Sequence, residues 1–178
     1  MSQLVPLQTP GQSFKSQLLC FESGGQRYAC DLLWVKEVLR SPVVTPVRLA
    51  PDYVRGVIHL RGHILTALDL EVRLGHSRGE SSSANRCIVF KTSADLLRLS
   101  NPPKDCEAAD SDPIGVLVDS IGDILPPETS VLPAPPEALS GLDSRFIAGV
   151  ISDGGELVMV LRVGALVSIV ENRKPQAE

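Results

Sequence analysis

From residue 17 to about 170 the apolar positions fall in short, often β-branched runs, separated at close spacing by clusters of Gly, Pro, Asn, Asp and Ser. That is the pattern of many short strands. Leu18–Phe21 and Gln26–Cys30 flank Glu22–Gly25 and predict a hairpin, because glycine supplies the positive φ that a tight turn demands. Val57–Leu60 and His63–Leu68 around Arg61-Gly62 predict a second, and Val150–Ser152 and Glu156–Leu161 around Asp153–Gly155 a third. Helix is scarce. Asp69 is placed to cap Leu70–Leu74, with Gly75 just past the end, and Val163–Val170 can form a C-terminal turn or two. The proline-dense stretches 43–51 and 126–136 are expected to be extended connections without ladder hydrogen bonds. Residues 1–16 and 171–178 are polar and aperiodic and read as tails.

The chain repeats itself. Arg55–Leu68 laid over Ala148–Leu161 matches Gly56 with Gly149, Val57 with Val150, Ile58 with Ile151, Gly62 with Gly155 and Leu68 with Leu161, all at an offset of 93. A second match, at an offset of 86, sets Val35–Leu39 over Ile121–Leu125 with an acid kept between apolar positions. Two similar β units, 18–85 and 86–168, are expected from this, each too small to bury much alone and therefore packed on the other.

Composition narrows the function classes. The 178 residues carry 17 Lys+Arg against 21 Asp+Glu, a net charge of −4. That balance leaves no domain-wide basic excess to replace counterions along a nucleic acid. Apolar runs stay far below the ~20 residues of a membrane-spanning helix. The N-terminus has no basic and apolar leader pattern, so a cytoplasmic protein is expected. Cys20, Cys30, Cys87 and Cys106 form no CxxC pair and read as reduced, buried small hydrophobes. Charge also differs between the halves: residues 1–90 sum to +3 and residues 91–178 to −7. Opposed faces of this kind favour head-to-tail contact with a similarly built partner.

Catalytic motifs lack their context. Gly75-His-Ser-Arg-Gly79 fits GxSxG, but a nucleophile elbow needs a strand entering and a helix leaving, and here a short helix precedes Ser77. His59 and His63 bracket a turn without a third ligand at zinc-like spacing. There is no P-loop, dinucleotide fingerprint or HExxH, so no cofactor is implied. What remains is a binding surface along strand edges beside the proline-rich connections, with Val38 and Ile124 equally readable as core or surface.

Read in order, Leu19–Phe21 with Gly25 and Tyr28, Val35–Val38, Thr45-Pro46, Pro51-Asp-Tyr-Val-Arg-Gly-Val-Ile-His-Leu-Arg-Gly62, Leu68–Leu70, Gly115–Asp119 and Gly149 resemble the CheW-like family of chemotaxis coupling proteins across about 17–170. The resemblance implies a mainly β fold: two SH3-like five-stranded β-barrels packed together, with short helices including one at the C-terminus. It implies a non-catalytic scaffold joining the cytoplasmic tips of methyl-accepting chemoreceptors to the regulatory domain of a CheA-type histidine kinase, at membrane-associated arrays that can also hold other CheW-like proteins. Val35, Glu37, Gly56, Arg61 and Ile121 match the positions where the family contacts receptor or depends on local geometry to do so. Alternatives are a kinase-binding regulator or ring-filling variant of the same fold that does not bind receptor and, remotely, a serine hydrolase using Ser77. The chain departs from the family pattern at His59, where Asn is usual, and at Thr66, where proline is common. Lys91–Asp112 also replaces a tight hairpin, and is expected to be a mobile loop or an added contact.

Overall fold

The first hairpin turns at Gly24-Gly25, both at positive φ. It joins strands that, with one short strand before them, open a run of twelve in the computed structural model, which describes residues 12–13, 15–77 and 84–169. They are β1 (Gln12–Ser13), β2 (Leu18–Ser23) and β3 (Gln26–Asp31), then, after a 3-10 turn at Leu32–Trp34 capped by the Asp31 carboxylate, β4 (Val35–Arg40), β5 (Val54–Leu60) and β6 (His63–Asp69). Helix α1 (Leu70–Leu74) follows directly. Asp69 accepts from the Val72 amide at 3.2 Å and Gly75 ends the helix at φ 104°, as that spacing predicts. Next come β7 (Arg86–Phe90), α2 (Ser93–Leu97), β8 (Ile114–Val118), β9 (Ser120–Leu125), β10 (Ser130–Val131), β11 (Ile147–Asp153), β12 (Glu156–Leu161) and α3 (Val163–Val167).

Two five-stranded sheets result, ordered β4-β7-β8-β6-β5 and β9-β2-β3-β12-β11. The mainly β, two-unit architecture is therefore as expected, but the division of the chain between the units is not. The expected halves 18–85 and 86–168 are corrected: one sheet is built from residues 35–118, while the opening hairpin β2–β3 completes the other. It does so through a parallel pairing, Met159 with Tyr28 and Val160 with Ala29, and an antiparallel one, Phe21 with Ile121. A parallel pairing spans a long crossover and leaves no local signal in the sequence. With that correction the repeat is complete: β4, β5, β6, β7 and β8 are matched in order and direction by β9, β11, β12, β2 and β3.

Strand alternation divides the buried side chains between three cores. Leu18, Cys20 and Ala29 fill a small core within one sheet with Val158 and Val160, and Cys87, Val89 and Leu117 fill its counterpart with Ile58 and Leu65. The intervening residues Leu19, Phe21, Tyr28, Ile88, Phe90, Val116 and Val118 face one large shared core, which Trp34, Phe146 and Leu166 close. The packing of each unit on the other is thus the largest part of the interior.

Four expectations are adjusted. Thr45 in the first proline-rich stretch exchanges two 2.9 Å backbone hydrogen bonds with Val57, and Leu132 in the second exchanges two of 2.8 Å with Val150. Both are non-proline residues that keep their N–H, so these stretches do pair locally. Part of the expected N-terminal tail is strand, since Gln12 and Ser13 pair with Val131 and Ser130. The C-terminal helix ends at Val167 rather than reaching Val170, which lies outside the described residues together with residues 1–11, 14 and 171–178 of the expected tails. Lys91–Asp112 is folded: Thr92 and Asp95 form a capping box on α2, and Leu96, Cys106 and Ala109 are buried in the shared core.

Candidate partner-binding surface

Strand β4 is the edge of its sheet and, among the described residues, pairs only with β7, which leaves its outer backbone without a strand partner there. Its register shifts between Val35, opposite Phe90, and Glu37, opposite Val89, which makes Lys36 the extra residue of a bulge. Bulges redirect side chains. Here Val35 is half-buried against the shared core, Lys36 reaches Asp95 on α2 at 3.3 Å, and Glu37 accepts from Arg61 at 3.2 Å.

Arg61 stands in the two-residue turn between β5 and β6, at φ 49° with Gly62 at φ 83°, the conformation that a tight hairpin of twisted strands requires. Its side chain is 78% exposed, whereas that of Glu37 is 25% exposed. A single contact to one carboxylate oxygen leaves most of the guanidinium fork free for an incoming acid. Gly56 is placed differently. It is buried in β5, with the carbonyl of Thr45 where its Cβ would be.

Of the five positions singled out in the sequence, the structure therefore places Val35, Glu37, Gly56 and Arg61 on one sheet and joins Glu37 to Arg61 directly. Ile121 stands on the other sheet, in β9, opposite Phe21 and packed on the shared core. It is the counterpart of Val35, down to the register shift of the pairing beside it.

A shallow cavity of about 300 Å³ lies beside this pair, lined by Leu39, Arg40, Val43, Ile58, His59 and Leu60 among others. Val43 is 82% exposed, and Leu49 in the same connection is fully exposed at φ 62°. Sequence reasoning passed over Arg40 and Val43, although the alternation running from Val35 to Arg40 was a signal that the edge strand continues that far. Val38 and Ile124, readable either way in the sequence, are both surface residues at 38% and 50% exposure. The exposed cations Lys36, Arg40 and Arg61 make the face basic.

The other candidates stand apart. Ser77 is exposed and follows α1 and Gly75 rather than a strand, and Arg78 and Gly79 of its GxSxG lie outside the described residues. His59 and His63 are exposed on β5 and β6, and among the described residues no group of three or more His, Cys, Asp or Glu is placed to hold a metal ion. All four cysteines are buried free thiols. Burial pushes the thiols of Cys20, Cys30 and Cys87 up from their ordinary value. Asp95 is held below the usual carboxylate range: desolvation opposes this, but hydrogen bonds from Thr92 and the Lys36 ammonium outweigh it. Among the described residues no helix is long and apolar enough to cross a membrane.

The family model of the CheW-like domain matches residues 17–171. The chain is 25% identical over 170 residues to the chemotaxis protein CheW of Treponema pallidum, covering 96% of this chain and 91% of the relative. It is 26% identical over 156 residues to a probable chemotaxis protein CheW of Rhizobium etli, covering 88% and 90%. The crystal structure of the scaffolding protein TtCheW of Thermoanaerobacter tengcongensis superimposes with a TM-score of 0.66 at 22% identity, covering 85% of this chain and 92% of that one.

Proposed function

The chain belongs to the CheW-like domain family, and from that premise we propose that it is a non-catalytic scaffold coupling methyl-accepting chemoreceptors to a CheA-type histidine kinase in a chemosensory array. The observation that carries the reading is the Glu37–Arg61 pair. An exposed guanidinium at a hairpin tip is steadied by a half-buried carboxylate on an edge strand, near a shallow cavity in which Leu39, Val43, Ile58 and Leu60 stand beside Arg40 and His59. That arrangement suits recognition of an acidic helical tip, because the fork of Arg61 can add a second carboxylate and the cavity can take an apolar side chain. In this reading the protein acts in the cytoplasm at membrane-associated receptor clusters, with the kinase regulatory domain, the receptor tip and other CheW-like proteins as partners.

The test is a pull-down of the purified chain against the regulatory domain of the CheA-type kinase and the receptor tip encoded nearest to it. Capture of both is expected. Capture of the kinase domain alone moves the reading to a kinase-binding regulator, and capture of neither overturns it.

A further inference from the structure

We propose that the folded segment 91–112 is a specificity element of the receptor-facing surface, adding a contact beside the Glu37–Arg61 pair; this rests on the coupling reading above. The segment is anchored from beneath. Leu96, Cys106 and Ala109 are buried in the shared core, the Ser93 amide closes the base on the Asp110 carbonyl at 3.2 Å, and Gly164 of α3 packs close against Asp105 and Trp34. It is also fastened to β4. The Lys91 ammonium donates to the Leu33 carbonyl at 2.7 Å, and Asp95 holds Lys36, the bulge residue between Val35 and Glu37, at 3.3 Å. Helix α2 therefore moves with the strand edge that carries the candidate contacts.

Its outer face is a different matter. Ala94, Leu97 and Arg98, at helical spacing of three and four, all face solvent, and Leu97 is 59% exposed. The buried Leu96 accounts for the anchoring of the helix, so the exposed leucine beside it has no part in the interior. Along β4, the β5–β6 turn and α2 the exposed cations Lys36, Arg40, Arg61 and Arg98 outnumber the carboxylates Glu37 and Asp95, whereas the rest of the segment is acidic, with Asp105, Glu107 and Asp112 exposed against Lys104. An apolar residue flanked by net positive charge fits an acidic helical tip carrying an apolar side chain, the chemistry to which Arg61 is suited. A partner seated on Glu37 and Arg61 that extends along β4 meets α2 next.

The experiment uses the full chain with Leu97→Glu and Arg98→Glu, each checked for an unchanged melting temperature, with Leu97→Ser substituted if the glutamate lowers it. Affinities are measured by calorimetry for a receptor-tip fragment and for the kinase regulatory domain. Each variant is expected to weaken receptor binding by about fivefold or more and to leave kinase binding within about twofold. Receptor affinity unchanged in both variants, while Arg61→Ala lowers it, overturns this inference and leaves the coupling reading standing. Equal losses for receptor and kinase also overturn it. Absence of receptor binding by the unmodified chain overturns both.

Discussion

Gly56 and Gly149, 93 residues apart, hold the same place in the two sheets. Each follows a register shift at the start of its hairpin, pairs with Ala67 or Val160, and lies against the backbone of a proline-rich connection, Thr45 for the first and Leu132 for the second. A Cβ on either would run into that connection's carbonyl oxygen. The two glycines are what allow each connection to cross its hairpin and bond to Val57 or Val150.

Gly56→Ala and Gly149→Ala are therefore each expected to destabilise the protein by about 2–4 kcal/mol, through a clash with backbone that cannot rotate away. Gly56 adds strain, since its φ of 148° is one that side chains rarely adopt. In a chain of this size the melting temperature should fall by roughly 5–15 °C. Gly62→Ala is the control: it has the positive φ but open space, and should cost about 1 kcal/mol. Thermal unfolding by circular dichroism measures all three, and an equal cost at Gly62 would show that the clash is not the determinant. Any loss of partner binding in Gly56→Ala should vanish when corrected for the folded fraction.

How far such relationships can be read without coordinates depends on how local they are. The three hairpins, the Asp69 cap and the Gly75 stop were legible because turn and cap chemistry is set by neighbours in sequence. The offset of 93 was legible because β5–β6 and β11–β12 keep the same spacing of glycine and apolar residues. The completion of the second sheet by β2 and β3 was not, since pairing Tyr28 with Met159 leaves no mark near either residue. The Glu37–Arg61 bond belongs to the same class, its partners standing 24 positions apart. The family resemblance singled out both residues, but the contact itself is tertiary. Whether segment 91–112 is a mobile loop or an ordered contact is not legible in the sequence, because its anchors, Leu96, Cys106 and Ala109, are scattered among prolines and acids without helical period.

Arg73 joins α1 to the end of α3. Its guanidinium donates to the carbonyls of Leu166 at 3.1 Å, Ala165 at 3.4 Å and Ser168 at 2.6 Å, and lies over the rings of Tyr53 at 4.3 Å and Phe146 at 5.0 Å. α3 has no left-handed glycine to satisfy its last carbonyls, so Arg73 takes that role from another element. Arg73→Ala should cost about 2–3 kcal/mol, and Arg73→Lys should recover only part, because an ammonium cannot fork or stack in the same way. Hydrogen exchange should show the loss concentrated at the amides of 163–168. Uniform deprotection of all strands would sink this local account.

Buried thiols make a prediction about alkaline pH. Desolvation raises the pKa of Cys30 and Cys20, and that of Cys87 to about 12 from an ordinary 9.0. The unfolded chain thus releases thiol protons at lower pH than the native one. The stability these groups contribute is complete below the ordinary thiol value and declines as pH rises from there towards 12. Melting temperature should be flat from pH 7 to 8 and fall above 9, more steeply than in a variant with Cys20, Cys30 and Cys87 each changed to Ala or Val. At pH 8 a maleimide should leave these three residues unmodified in the native protein and label them in denaturant, as read by intact mass.

The last prediction separates binding from stability at the candidate surface. Arg61 and Glu37 form an ion pair whose guanidinium is largely in solvent, and pairs of that kind contribute about 1 kcal/mol or less. Arg61→Ala should therefore shift the melting temperature by no more than roughly 4 °C. If the guanidinium meets a receptor carboxylate, the same variant should weaken receptor binding by about tenfold or more, because a fork buried on complex formation is worth far more than one in water. Glu37→Gln should weaken it less, since glutamine keeps an oxygen to steady Arg61 but gives up the charge. The double variant should show coupling, its loss smaller than the sum of the single losses, because Glu37 acts through Arg61. Raising salt should slow association of the parent protein and have less effect on Arg61→Ala. Additive losses in the cycle would mean that Glu37 meets the partner independently, and unchanged receptor affinity in Arg61→Ala would remove this residue from the interface.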